Sequence, residues 1–331
     1  MKKRLNSLSI YRLVATICIL QFHIFFILYN RAIPYETLLS KGVQGLTALS
    51  GFLYSQKLIK DNKSFLLNNL KKIIIPALIC FSVMLLWNLI YMFIFQSWNY
   101  IGLFFDHRVY NNGLLVQPGN YYYIAYIAVC YLITPLLQRN DKWSLITALL
   151  VIVFEFTLGF FTGASIIILS YVAGYFIGRK SFKTITDVET KYFVSYLIIF
   201  ILITALSVGG YILLITFPFN NNYFLSGVYS LLQNIAMTTF GVSSFFLFIY
   251  IFRWTNRFNA IKPLSFTDKI TLNVYLLNQT FMCGAMNVAR WVEDMWLKTL
   301  LVYVFTIGFA IITYLIYDFI FNKKKKEPKP T

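Results

Sequence analysis

The stretch from Leu8 to Tyr29, LSIYRLVATICILQFHIFFILY, is apolar over the length a helix needs to cross about 30 Å of hydrocarbon, yet it contains Arg12 and His23. Ionisable side chains at bilayer depth are costly and generally line substrate or proton paths, so this pair is a functional hypothesis by default. Eleven residue steps of about 100° make three turns and roughly 20° more, which puts both side chains on one helix face about 16 Å apart along the axis. One face of the first helix then carries a fixed cation and a proton-accepting imidazole. Each residue also has a structural reading: His23 as a hydrogen-bonding residue between helices, and Arg12 as a side chain near the cytoplasmic end that snorkels to the headgroups.

The rest of the 331-residue chain has the same character. It is 59% hydrophobic, 19% aromatic and only 12% charged, too little polar surface for a soluble globule of this size. Apolar runs fall at about 8–29, 39–59, 73–95, 121–138, 143–161, 163–178, 192–217, 227–251, 270–289 and 297–320. They lack the alternation of a membrane barrel, so the fold class is all-α: a polytopic membrane helix bundle of about ten transmembrane helices. The fifth and sixth runs are short and joined by Phe161, Thr162 and Gly163, which leaves a re-entrant pair open. No internal repeat is visible.

The net charge of +17 is explained by where the cations stand. With the N-terminus in the cytoplasm, the loops on that side hold Lys57, Lys60, Lys63, Lys71 and Lys72, then Arg139 and Lys142, Arg179, Lys180, Lys183 and Lys191, and Arg253, Arg257, Lys262 and Lys269. The tail adds Lys323 to Lys326 and Lys329, while the opposite loops hold Arg31, Lys41, Arg108, Arg290 and Lys298. This is the positive-inside pattern of an even number of spans with both termini cytoplasmic, and it accounts for the basic surplus without a nucleic-acid partner. Cys18, Cys80, Cys130 and Cys283 stand singly in apolar runs, a spacing that gives no metal site and no disulfide framework. The KKR start precedes a long run without an A-x-A cleavage site and reads as a retained helix.

Further motifs follow in order. Arg12 and His23 bracket R-L-V-A-T-I-C-I-L-Q-F-H; Gly45–Leu53 reads GLTALSGFL; Lys71-Lys72-Ile-Ile-Ile-Pro76 opens the third run; Tyr131–Leu137 reads YLITPLL; and Leu272–Leu277 reads LNVYLL. Together these resemble the membrane acyltransferase-3 family over nearly the whole chain. The resemblance implies an acyltransferase-like transmembrane domain over 1–322 with a basic cytoplasmic tail over 323–331. It implies transfer of an acyl group, most often acetyl, from cytoplasmic acyl-CoA to a hydroxyl of an extracytoplasmic polysaccharide or its lipid-linked precursor, in a bacterial cell membrane. No permanently bound cofactor is implied; acyl-CoA is the donor substrate, and the glycan and membrane lipids are the partners.

On this reading His23 is the catalytic base, or a covalent acyl carrier, and Arg12 serves donor binding and catalysis. Lys71 and Lys72 meet the CoA phosphates, although topological anchoring explains them too. Ser50, Tyr122, Tyr123, Glu155 and Asn278 are expected to bind substrate. Glu155 lies at a depth similar to His23 and either orients the imidazole or pairs with another helix, and Ser50 with Gly51 equally fits plain helix packing. The aromatic and polar exterior loop 96–120, with His107, suits a sugar or an interfacial aromatic belt. The chain departs from the family pattern in reading Asn120-Tyr121-Tyr122 where His-x-Trp is usual, and in Asn278 where the late motif ends in His. Asparagine hydrogen-bonds but cannot act as a base, so His23 carries any proton transfer nearly alone. The rival reading is a polysaccharide flippase, exporter or polymerase, but matched repeat halves are missing and the exterior loop 96–120 holds the single Arg108.

Overall fold

The computed structural model of the protein describes residues 5–29, 36–95, 122–188, 191–219, 222–259, 261–282 and 287–322. The expected exterior loop 96–120 with His107, Tyr121, Cys283 and the tail 323–331 lie outside the described residues. Among the described residues the regular structure is all helical. The helices are α1 (Asn6–His23), continued by a π-helical turn at Ile24–Leu28, α2 (Glu36–Ser40), α3 (Gly42–Tyr54), α4 (Asn62–Phe95), α5 (Tyr122–Arg139) and α6 (Asp141–Thr162). There follow α7 (Ile168–Thr186), α8 (Phe193–Thr216), α9 (Tyr223–Ile251), α10 (Lys262–Leu277) and α11 (Met295–Asn322), with 3-10 segments at Phe252–Arg257 and Val288–Trp291.

Among the described residues, 6 helical stretches are long and apolar enough to cross a membrane: Asn6–Leu28, Asn62–Leu86, Asp141–Thr162, Phe193–Thr216, Tyr223–Arg257 and Met295–Phe321. The other apolar runs are helical too, but shorter or more polar. α3 has 13 residues and α10 has 16. α5 is rich in tyrosine, and α7 closes on Arg179, Lys180 and Lys183. The run expected as one helix over 270–289 stops at Leu277 and resumes only as the short 3-10 segment.

The chain forms two compact units: Met1–Ile19, Ile33–Leu66 and Tyr126–Ser265 make the first, and Leu20–Ala32, Leu67–Ala125 and Phe266–Thr331 the second. In the first unit α3 and α7 meet backbone to backbone. A Cβ added at Gly51 would lie 2.0 Å from the carbonyl oxygen of Tyr171, and one at Gly174 would lie 2.1 Å from that of Ala48. Apolar side chains gain little from leaving lipid for protein, so helices in a bilayer associate by close van der Waals packing, which small residues permit. Beside this contact, Cys130, Leu137, Ala148, Val151, Ile168, Tyr171, Val172 and Tyr175 make a buried cluster from α5, α6 and α7.

The joint after α6 is a true break. Gly163 takes a left-handed conformation with φ 67°, and residues 164–167 leave the helix before α7 begins. The Glu155 carboxylate, in the body of α6, accepts the backbone N–H groups of Ile167 (2.8 Å), Ile168 (2.7 Å) and Leu169 (2.6 Å). The chain has therefore folded back so that the first turn of α7 stands beside the middle of α6. From α9, Asn234 donates to the Gly163 carbonyl (3.2 Å) and Thr238 to that of Ile166 (3.0 Å). At the other end of this unit, Asn256 ties α1 to α7: its Oδ1 accepts the Ser7 N–H (2.9 Å) and its Nδ2 donates to the Thr186 carbonyl (3.1 Å).

In the second unit α10 and α11 are joined through Asn273, whose Nδ2 donates to Thr313 Oγ1 (2.9 Å) and to the Ala310 carbonyl (3.3 Å). The end of α1 is held to α11 by Tyr303, which donates to Gln21 Oε1 (2.9 Å), and by Tyr29, which donates to the Met295 carbonyl (2.9 Å).

Gly51→Ala and Gly174→Ala force a methyl group into a backbone contact, and each is expected to cost about 1–3 kcal/mol or more as the helices separate. Gly209→Ala in α8, where a Cβ meets nothing within 4 Å, is the control. Thermal unfolding in detergent should show a clear fall for the first two and none for the third; equal stability of all three would sink the close-packing argument.

Candidate functional site

The second unit holds the constellation of chemical interest, and it exists because α10 stops early. Beyond Leu277 the backbone turns, with the Thr280 N–H donating to the Leu277 carbonyl (3.0 Å) and the Met282 N–H to that of Gln279 (3.1 Å). Non-helical backbone that is buried needs partners from the protein that covers it. Here Asn278 is 1% exposed, Gln279 6% and Thr280 1%. The Thr280 hydroxyl reaches the Met84 sulfur on α4 (3.5 Å).

This turn presents Gln279 to His23. The Gln279 side-chain amide nitrogen lies 3.2 Å from His23 Nδ1. His23 is half-buried and sits where α1 passes into the π-helical turn, a register change that recurs at functional sites in helices. Its ring meets Phe22 edge-on at 5.2 Å. One imidazole nitrogen is thus engaged by an amide, which leaves Nε2 as the second proton-carrying or proton-accepting position.

Tyr275, one helical turn before Asn278, links this region to the start of α5. Its hydroxyl donates to that of Tyr122 (3.4 Å), and its ring lies 4.9 Å from that of Tyr123. His23, Asn278, Tyr122 and Tyr123, singled out from the sequence, therefore belong to one unit, and Gln279 and Tyr275 join them. Gln279 carries no sequence signal of its own beyond following Asn278. Lys71 and Lys72 are also in this unit, on α4, with exposed side chains.

The remaining sequence candidates lie in the first unit. Arg12 is half-buried on α1 and near enough to Tyr54, at the end of α3, to act electrostatically on its hydroxyl. Ser50 donates to the Leu46 carbonyl of its own helix (3.1 Å). Glu155, of the two roles open to it, takes helix pairing: three amide donors occupy its carboxylate, and a negative group at the N-terminus of α7 also complements the helix dipole. Among the described residues no group of His, Cys, Asp and Glu has the arrangement of a metal site.

Among the described residues, an all-helical chain with several helices long and apolar enough to cross a membrane, and a half-buried histidine beside a side-chain amide, fits a multi-pass membrane protein. The chain belongs to the acyltransferase-3 family, whose acyltransferase domain model matches residues 5–315. Comparison with curated proteins and with solved structures gave no match.

Because Glu155 closes the α6–α7 break, Glu155→Ala strands up to three buried amides, each worth about 1–3 kcal/mol when unsatisfied. The protein should lose stability without any substrate present, read as a lowered unfolding temperature in detergent. A variant of full stability and reduced turnover would instead assign Glu155 to the chemistry.

Proposed function

We propose that this protein is an integral-membrane O-acyltransferase that moves an acyl group, acetyl above all, from cytoplasmic acyl-CoA to a hydroxyl of an extracytoplasmic polysaccharide or its lipid-linked precursor. The observation that carries the reading is the contact between His23 and Gln279 within a chain of this family. Acyl transfer from a thioester to an alcohol needs a group that takes the hydroxyl proton as the oxygen attacks. His23 is the one histidine among the described residues, the second, His107, lying outside them.

In the proposed reaction the acceptor oxygen attacks the thioester carbonyl carbon while His23 Nε2 accepts the hydroxyl proton. The carbon–sulfur bond then breaks, and the imidazolium returns that proton to the departing CoA thiolate. Arg12 binds the donor, since a guanidinium pairs with phosphate or carbonyl oxygens through two parallel donors. Lys71 and Lys72 attract the CoA phosphates at the cytoplasmic face. Tyr122, Tyr123 and Asn278 contact the acceptor, the rings stacking on apolar sugar faces, and Ser50 is a further substrate-binding candidate. The proposed topology is of about ten spans with both termini cytoplasmic in the cell membrane, which puts Lys63, Lys71, Lys72 and Lys183 on the donor side.

His23→Ala and His23→Asn should accumulate and unfold as the parent does, yet lose about 100- to 10,000-fold in transfer of labelled acetyl from acetyl-CoA to glycan. Arg12→Lys should weaken donor affinity, because an ammonium cannot reproduce a bidentate contact. Near-normal transfer by His23→Asn would sink the mechanism, and an unmodified glycan in cells that carry the intact protein would sink the function.

Topology is checked by single cysteines in a background without the native four. With an impermeant reagent, cysteines at positions 63 and 183 should label only after the membrane is opened, and one at 222 should label from outside intact cells. Labelling at 63 from outside would invert the assignment of donor and acceptor faces.

A further inference from the structure

A histidine can serve as base at Nε2 only if its single neutral-state proton sits on Nδ1, so whatever touches Nδ1 decides whether the residue is competent. In this protein that neighbour is the Gln279 amide, at 3.2 Å. The two ends of a carboxamide have the same shape, and a half-turn about the terminal side-chain bond exchanges the N–H2 group and the oxygen at one place in space. With the N–H2 group on Nδ1, the ring carries its proton on Nε2, whose lone pair belongs to the π system and cannot accept another. With the oxygen on Nδ1, the ring donates from Nδ1–H and Nε2 is an open base.

We propose that Gln279 is a positioning residue that accepts the Nδ1–H of His23 through Oε1 and so holds the imidazole in the tautomer whose Nε2 is free to take the acceptor's proton. This rests on the acyl-transfer reading of His23 given above. The device is rigid, as a positioning residue must be. The Gln279 backbone is fixed by the 3.1 Å bond from Met282 and, one residue on, by the Thr280 bonds to Leu277 and Met84. On the histidine side, Gln21 is anchored by Tyr303 two residues earlier in α1. The role is normally filled by a carboxylate or a backbone carbonyl, and a neutral amide does it without adding a charge to a buried setting. It also gives the early stop of α10 a purpose: a helix continued past Leu277 would not deliver this turn to the end of α1.

The direct test is spectroscopic and needs no substrate. His107→Ala leaves His23 as the single histidine, so nitrogen-15 histidine labelling of the purified full-length protein in nanodiscs reports one imidazole. The expected result is a protonated Nδ1 and an unprotonated Nε2 in the neutral ring; a proton on Nε2 overturns the proposal.

Kinetics give an independent arm, assayed above the acid limb of the rate profile. Gln279→Leu should lower kcat about 10- to 100-fold with KM for both substrates unchanged. Gln279→Glu, which can only accept at Nδ1, should keep most of the activity and move the acid limb to higher pH, because a neighbouring carboxylate favours imidazolium. If Glu fails as badly as Leu while both variants unfold like the parent, the amide's donor is what matters and the proposal is wrong. Full activity of Gln279→Leu overturns it as well. If His23→Asn is active, the acyl-transfer reading has failed on its own terms, and the nitrogen-15 result still decides the tautomer.

Discussion

Backbone that leaves a helix gives up its ladder partners, and each amide or carbonyl then buried without another costs about 1–3 kcal/mol. Two departures from the helix among the described residues, after Gly163 and after Leu277, leave such groups, and much of the architecture follows from how they are closed. At the first, one carboxylate takes three amides of α7 while two polar side chains of α9 take the carbonyls left behind. That closure sets α6, α7 and α9 in one arrangement. The glycine contacts of α7 with α3 then complete the first unit, because Gly51 and Gly174 let two backbones approach where any side chain would hold them apart.

The second departure is put to a different use. The polar residues at the end of α10 do not simply neutralise the broken backbone; Asn273 fastens α11, Thr280 reaches α4, Tyr275 meets the start of α5, and Gln279 meets His23. A continuous helix would present these side chains along a stripe with a fixed angular spacing. The turn after Leu277 releases Gln279 from that spacing.

Position 278, where the family resemblance implies a histidine, is an asparagine. On the proposed reading proton transfer rests with His23, and the neighbouring Gln279 supplies orientation without a second titrating group. His23 is thus surrounded in this unit by neutral amides and phenols, an arrangement that keeps buried charge low.

Much of this was legible in the sequence. Length and apolarity of the runs dictated a helical membrane protein, since only helices and closed barrels satisfy their backbone in lipid, and five short motifs in order pointed to the family that the match over 5–315 establishes. Arg12 and His23 announced themselves because an ionisable residue in an apolar run is costly enough to be conspicuous. What could not be read was where a run is interrupted and which side chain closes the gap. The stretch over 270–289 looks like one helix because hydropathy registers composition and is blind to a turn stabilised by contacts with distant helices. Glu155 read equally as a partner for the imidazole or for another helix because depth is readable along one helix, whereas the three amides that occupy it come from residues folded back from beyond the break. Gln279, an ordinary polar residue in sequence, acquires its place only when α10 and the end of α1 are brought together, 256 positions apart in the chain. The sequence by itself determined the environment and the class of chemistry, because those depend on composition and local spacing; the tertiary structure decided which groups touch, because that depends on satisfying every buried polar group at once.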